Sequence, residues 1–257
     1  MATYEVDNDS FPNKTVVYIR CKFEGKEVWS SGSGTIVGIN DILTASHVVY
    51  DERFGGWATQ NRIYSSYNAY LSDPSSYYSY AFSSGYNWDE DGDGLQRLGD
   101  NNPNDLGESE KDIALLSLTT DIGSIYGSMG LKFDFNGGNA SKLGYPGKYD
   151  NNLMYDDGYV FKHSIDNYLW YDNIETNPGD SGGPIYVNSG GSAGYQVVGV
   201  HSGSITSSSR SYATALNAHE TWLLDQIESN NYLYDNSFAT LTSPNSVDED
   251  SSISFTF

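Results

Sequence analysis

The sequence predicts an all-β protein rich in loops, and two observations carry that reading. Only 18% of the 257 residues are charged, while Gly (27) and Tyr (22) are abundant and Ser and Asn recur throughout. That balance suits strands and turns better than amphipathic helices. The apolar residues also fall mostly in short runs bounded by Gly, Asn, Asp and Ser, instead of long stripes of helical period. The length is enough to bury a full core in one two-lobed domain or two small ones.

Residues 1–14 form an amino-terminal segment. Thr15 to Lys22 alternates as a strand, with Val17, Ile19 and Cys21 in phase on one face. Cys21 is therefore expected as a buried thiol, and as the chain's one cysteine it permits no internal disulfide. Gly34 to Val37 and Ile42 to Ala45 read as a hairpin turning at Asn40-Asp41, with His47 directly after the second strand. Residues 51 to about 108 are polar, rich in Tyr, Ser and Asp, and weakly periodic, so they read as a long insertion. Asp112 to Leu118 resumes as a buried strand.

A linker near Gly123 to Gly138 leads to a second group of strands. These are Gly158 to Ile165, Tyr168 to Tyr171, Gly183 to Val187, Tyr195 to His201 and Ser211 to Leu216. Asn217 as N-cap, Glu220 three residues on, and apolar Trp222, Leu223, Leu224 and Ile227 predict a helix over 217–228. His219, near the start of that helix, is expected at the surface. Residues 229–257 are rich in Asn, Ser and Asp and read as a flexible tail or the truncated start of another module.

The formal charge of −21 argues against nucleic acid and anionic membrane as partners, since both are polyanions. No apolar run is long enough to cross a bilayer, and no secretory signal is visible at the start.

The chemistry concentrates in Gly179-Asp180-Ser181-Gly182-Gly183-Pro184. A serine between small residues can sit on a tight turn with its hydroxyl exposed. The N–H groups of Gly179 and Ser181 can then converge where an oxyanion would form. A serine hydroxyl is a weak nucleophile and needs a base, and that base needs a carboxylate to orient it. Thr44-Ala45-Ser46-His47 and Lys111-Asp112-Ile113-Ala114 supply both, in the chain order His, Asp, Ser.

Over roughly residues 15 to 228 these three motifs resemble the serine endopeptidases of the chymotrypsin (trypsin-like) fold, and more narrowly the bacterial glutamyl endopeptidases. The resemblance implies two six-stranded antiparallel β-barrels, with the first lobe at 15–122, the second at 123–216 and a carboxyl-terminal helix. The active site would lie in the cleft between them. It implies His47 as general base, Asp112 as its orienting partner and Ser181 as nucleophile. The strand Val197 to Gly203 would form one wall of the primary specificity pocket. His201 and Thr176 match the histidine and threonine that bind an acidic side chain there, with Ser202, Gly203 and Tyr212 nearby. Glu175, six residues before the serine, keeps a basic preference as the alternative.

In trypsin-like enzymes the aspartate matching Asp180 pairs with an amino terminus freed from a precursor. This chain lacks an Ile-Val-Gly-Gly start. A side-chain partner for Asp180 is expected, with cleavage after Glu5 to free Val6 as the alternative. The implied partners are protein or peptide substrates, acted on by a monomer secreted from a bacterium, its signal or precursor segment lying outside this chain. Catalysis needs no cofactor. Asp89, Asp91, Asp93 and Asp100, with Gly94 between, have the spacing of a calcium loop, so calcium is expected as a structural ion.

Overall fold

The computed structural model describes residues 3–67, 76–79, 82–85, 110–164, 166–204 and 210–241. The candidate calcium loop, Asp89 to Asp100, lies outside the described residues. In chain order the strands and helices of the first half are β1 (Tyr4–Glu5), β2 (Val16–Lys22), β3 (Ser30–Ile36), β4 (Asp41–Thr44), α1 (Ser46–Val49), β5 (Tyr50–Asp51), β6 (Gly56–Trp57), β7 (Gln60–Ser65), β8 (Ser76–Ser79), β9 (Phe82–Gly85) and β10 (Ala114–Ser117). The second half holds α2 (Ile122–Tyr126), β11 (Gly130–Leu131), β12 (Gly138–Gly144), β13 (Met154–Lys162), β14 (Tyr168–Tyr171), β15 (Pro184–Asn188), β16 (Tyr195–Ser204), β17 (Ser211–Ala215) and α3 (Glu220–Leu241).

Two sheets make the body. In the second, β13, β12, β15, β16, β17 and β14 pair in turn and β14 returns to β13, which closes a six-stranded barrel. The first sheet runs β8-β7-β2-β3-β4-β10-β9 and forms a half-barrel among the described residues. The all-β, two-lobed class therefore holds, with one ring closed. The β-branched run of β2 is covered on both faces: Val16, Val17 and Ile19 are fully buried, as is Cys21, whose Sγ lies 3.0 Å from Asn61 Oδ1. Burial pushes the Cys21 thiol pKa up, so it is no ready nucleophile. Gly34 admits this packing, because a Cβ there would lie 2.8 Å from both Ile19 and Ile42. One apolar core fills the first lobe and continues through Leu143, Tyr145, Val200 and Leu216 of the second.

Several expectations need correction. The weakly periodic stretch 51–108 is not wholly an insertion, for β7 pairs along β2 from Val17↔Ser65 to Lys22↔Gln60, and β8 and β9 also belong to the first sheet. Past the expected linker, β12 was not foreseen: Gly-Asn-Ala-Ser-Lys-Leu-Gly lacks clean alternation because its one cation, Lys142, faces inward and is fully buried. The helix starts at Glu220 and runs to Leu241, past the predicted end at 228. Asn217 is no N-cap; it sits in a 3-10 turn and its Nδ2 donates to Phe135 O at 3.2 Å. His219 is buried, with Nε2 2.6 Å from Glu110 O. Asn and Ser are weak helix formers, so composition favoured a tail. The longer helix is tied down by a tertiary bond, Asn230 Nδ2 to Asp41 Oδ1 at 2.7 Å.

Candidate active site

The base and its carboxylate leave neighbouring strands at the same end. β4 and β10 pair antiparallel with Thr44 opposite Ala114, so the chain just after β4 and just before β10 emerge together. There α1 makes a single turn that carries His47, pinned by Ser46 Oγ donating to Ile113 O at 2.8 Å. Asp112 is fully buried and grips the histidine twice. Oδ1 accepts from the His47 backbone N–H at 3.0 Å, and Oδ2 lies 2.7 Å from Nδ1. That pairing holds the proton on Nδ1 and leaves Nε2 as the basic nitrogen. Burial disfavours the charged imidazole, but the charge and hydrogen bond of Asp112 outweigh it and raise the His47 pKa above its ordinary 6.5.

Ser181 is brought to the same place by contacts across the seam. Ser33 of β3 donates its N–H to Ser181 O at 2.7 Å and its hydroxyl to Gly179 O at 2.8 Å. Gly182 lies flat against the approach to His47: a Cβ there would stand 2.2 Å from Ser33 O and 3.1 Å from Ala45 N. The Ser181 hydroxyl itself makes no hydrogen bond within the described residues. Such catalytic bonds are often long without substrate and tighten in the Michaelis complex.

The turn also leaves two donors open. The N–H groups of Asp180, Gly182 and Gly183 bond to Asn177 O, His201 O and Asp180 O. Those of Gly179 and Ser181 have no acceptor among the described residues, which is the arrangement an oxyanion needs. Gly179 has φ +105° and Gly182 φ +84°, where a side chain is strained. Replacing Gly182 with Ala combines that strain with 2.2 Å clashes against the Ser33 backbone oxygen and the Thr44 hydroxyl. We expect a loss of about 3–5 kcal/mol, a Tm lower by about 10 °C in thermal unfolding. An unchanged Tm would mean the turn does not pack on Ser33 and Ala45 in solution.

The trypsin family model matches residues 6–223, which span all three motifs. The chain belongs to the trypsin family. As a member it is a serine endopeptidase of chymotrypsin-like fold. Among solved structures it is similar to a Glu endopeptidase in complex with MPD, with TM-score 0.68, 20% identity, and coverage of 88% of this chain and 96% of the other. It is also similar to the protease Anisep from Arthrobacter nicotinovorans, with TM-score 0.60, 17% identity and coverage of 83% and 93%. A thermostable serine protease, AL20, from an extremophilic microorganism gives TM-score 0.56, 16% identity and coverage of 90% and 98%. No curated protein matches the chain in sequence.

The residues expected to line the specificity pocket of this trypsin-family chain do not all serve alike. The Thr176 hydroxyl lies 2.6 Å from Ser204 Oγ and 2.7 Å from Ser211 Oγ, and those two are 3.0 Å apart. His201 is buried, its Nδ1 2.6 Å from the Tyr171 hydroxyl. Burial, then the positive charges of Lys142 and His47, hold the His201 pKa well below its ordinary value, and a hydrogen bond to the Tyr212 backbone offsets this only in part. The imidazole is neutral at pH 7, so it brings hydrogen bonds and no charge. Gly203 makes room for Tyr212, whose hydroxyl would be 2.7 Å from a Cβ there. Burial pushes the Tyr212 phenol up to about 12.

Ser202 is corrected. It is the bulged residue between His201↔Ala213 and Gly203↔Tyr212, and its hydroxyl donates to Asp112 Oδ2. Its side chain therefore turns to Asp112 and away from a substrate-binding role. The Glu175 carboxylate accepts from Lys148 Nζ (2.6 Å), Tyr149 Oη (2.9 Å) and Asn177 Nδ2 (3.0 Å), which lower its pKa to about 2. Sequence reading missed Ser33, Tyr171 and Lys142. Each is an ordinary strand residue whose role depends on a distant partner, so no local signal existed.

Proposed function

We propose that this trypsin-family endopeptidase cuts peptide bonds on the carboxyl side of glutamate, and more slowly of aspartate. Ser181 Oγ attacks the carbonyl carbon while His47 Nε2 takes its proton, and the N–H groups of Gly179 and Ser181 hold the oxyanion. His47 returns the proton to the leaving amine. Water then enters by the same route and releases the acyl group from Ser181.

The observation that carries the acidic preference is the hydroxyl cluster of Thr176, Ser204 and Ser211. Three O–H groups within hydrogen-bonding reach of one another can turn together to donate to a carboxylate. Glu175, the carboxylate that an Arg or Lys side chain would seek, is an anion already paired with Lys148. The similarity to a Glu endopeptidase structure points the same way.

Matched peptides differing only in Glu, Asp, Gln, Arg or Phe before the cut bond test this directly. Glu should exceed Gln, and Thr176→Val should lower kcat/KM for the Glu peptide about 10–100-fold, the worth of a hydrogen bond to a charged group. Because the chain carries −21, added salt should also lower KM for the Glu peptide by screening repulsion. Preference for Arg would overturn the reading.

A further inference from the structure

Between the two open donors sits Asp180. For the N–H groups of Gly179 and Ser181 to face the substrate, its side chain must turn the other way, into the protein. It does so completely: the carboxylate has no exposed surface, and Oδ2 accepts from Asn177 N–H at 2.8 Å. Gly144 leaves the room, since a Cβ there would come within 2.4 Å of Asp180 Oδ1. A carboxylate so buried requires a cation. Lys142, projecting inward from β12, brings its Nζ to 2.6 Å from Oδ2, and it too is wholly buried.

The amino-terminal segment is engaged elsewhere. Thr3 Oγ1 donates to Asp156, Tyr4 and Glu5 pair with Tyr155 and Met154 of β13, and Val6 N–H donates to Leu153 O at 3.0 Å. The nitrogen that cleavage after Glu5 would free is thus part of a sheet edge, while the acceptor it would seek already has its ion pair.

We propose that Lys142 is a positioning residue that holds the oxyanion turn in working shape from within, so that catalysis does not depend on a freed amino terminus. Lys142 touches no substrate; it acts through Asp180 on the two flanking N–H groups. Its loss should therefore lower kcat and spare KM. The proposal rests on Ser181 as nucleophile and not on the acidic preference.

Two arms test it. In the first, the unaltered chain carries a folded domain fused before Met1 through a linker that resists cleavage. Its kcat on a peptide the free protein cuts, and the labelling of Ser181 by a fluorophosphonate, should match the free protein within twofold. A fused form that is inactive until the linker is cut would overturn the proposal. In the second, Lys142→Met should reduce kcat about 10²–10³-fold, the effect of losing one oxyanion donor, with KM changed less than about threefold. The double variant Lys142→Met/Asp180→Asn leaves no unpaired buried charge, so it guards against a mere folding failure. It should regain thermal stability and stay slow. Full kcat in the double variant would sink the proposal.

Discussion

Replacing Ser181 with alanine should reduce kcat about 10⁶-fold while the protein stays folded, the loss seen when a triad nucleophile is removed. The two parts of that expectation have separate structural causes. The hydroxyl is the attacking group and makes no bond that holds the fold among the described residues. The backbone does the holding, through Ser181 O and the Ser33 N–H at 2.7 Å. Stability should stay within about 0.5 kcal/mol of the parent, and the donors at 179 and 181 should remain in place. Peptide hydrolysis followed by mass spectrometry, with thermal unfolding on the same preparation, reads both. A variant that keeps a tenth of the parent rate would remove Ser181 from the mechanism.

Asp112→Asn should lower kcat about 10⁴-fold and move the pH profile as well. The side-chain amide can still accept from the His47 N–H, but toward Nδ1 it offers a donor where a carboxylate oxygen now accepts. The imidazole would then carry its proton on Nε2 and could not take one from Ser181. In the parent, activity needs neutral His47, so kcat/KM rises with pH through a pKa held above 6.5 by Asp112. Without the carboxylate charge only burial remains, which lowers that pKa, so the acid limb should shift to lower pH. A limb that stayed put would mean Asp112 does not set the basicity of His47. Ser202→Ala, removing one donor to Asp112, leaves the charge in place and should move the limb far less.

Much of the fold was readable because burial on one or both faces writes itself into short runs. Tyr168 to Tyr171 matches β14 from end to end, and Val16 to Lys22 falls one residue inside its prediction. Where a strand keeps a buried charge, as β12 does at Lys142, the apolar pattern breaks and the strand went unseen. Helix α3 was cut short for a related reason, since its later residues are weak formers and Asn230 reaches Asp41, 189 residues away in the chain.

The sequence by itself picked out the candidate triad: a serine in a glycine turn, with a histidine and an aspartate each beside a strand. Their local surroundings are short, and chemistry restricts which residue types can fill them. Only the tertiary structure decided what those residues lean on. Ser202 turned to the triad, Glu175 paired off with Lys148, and Lys142 met Asp180 because strands far apart in order were laid side by side. A buried ion pair or hydrogen bond is a relation between two positions, and neither position alone carries its mark.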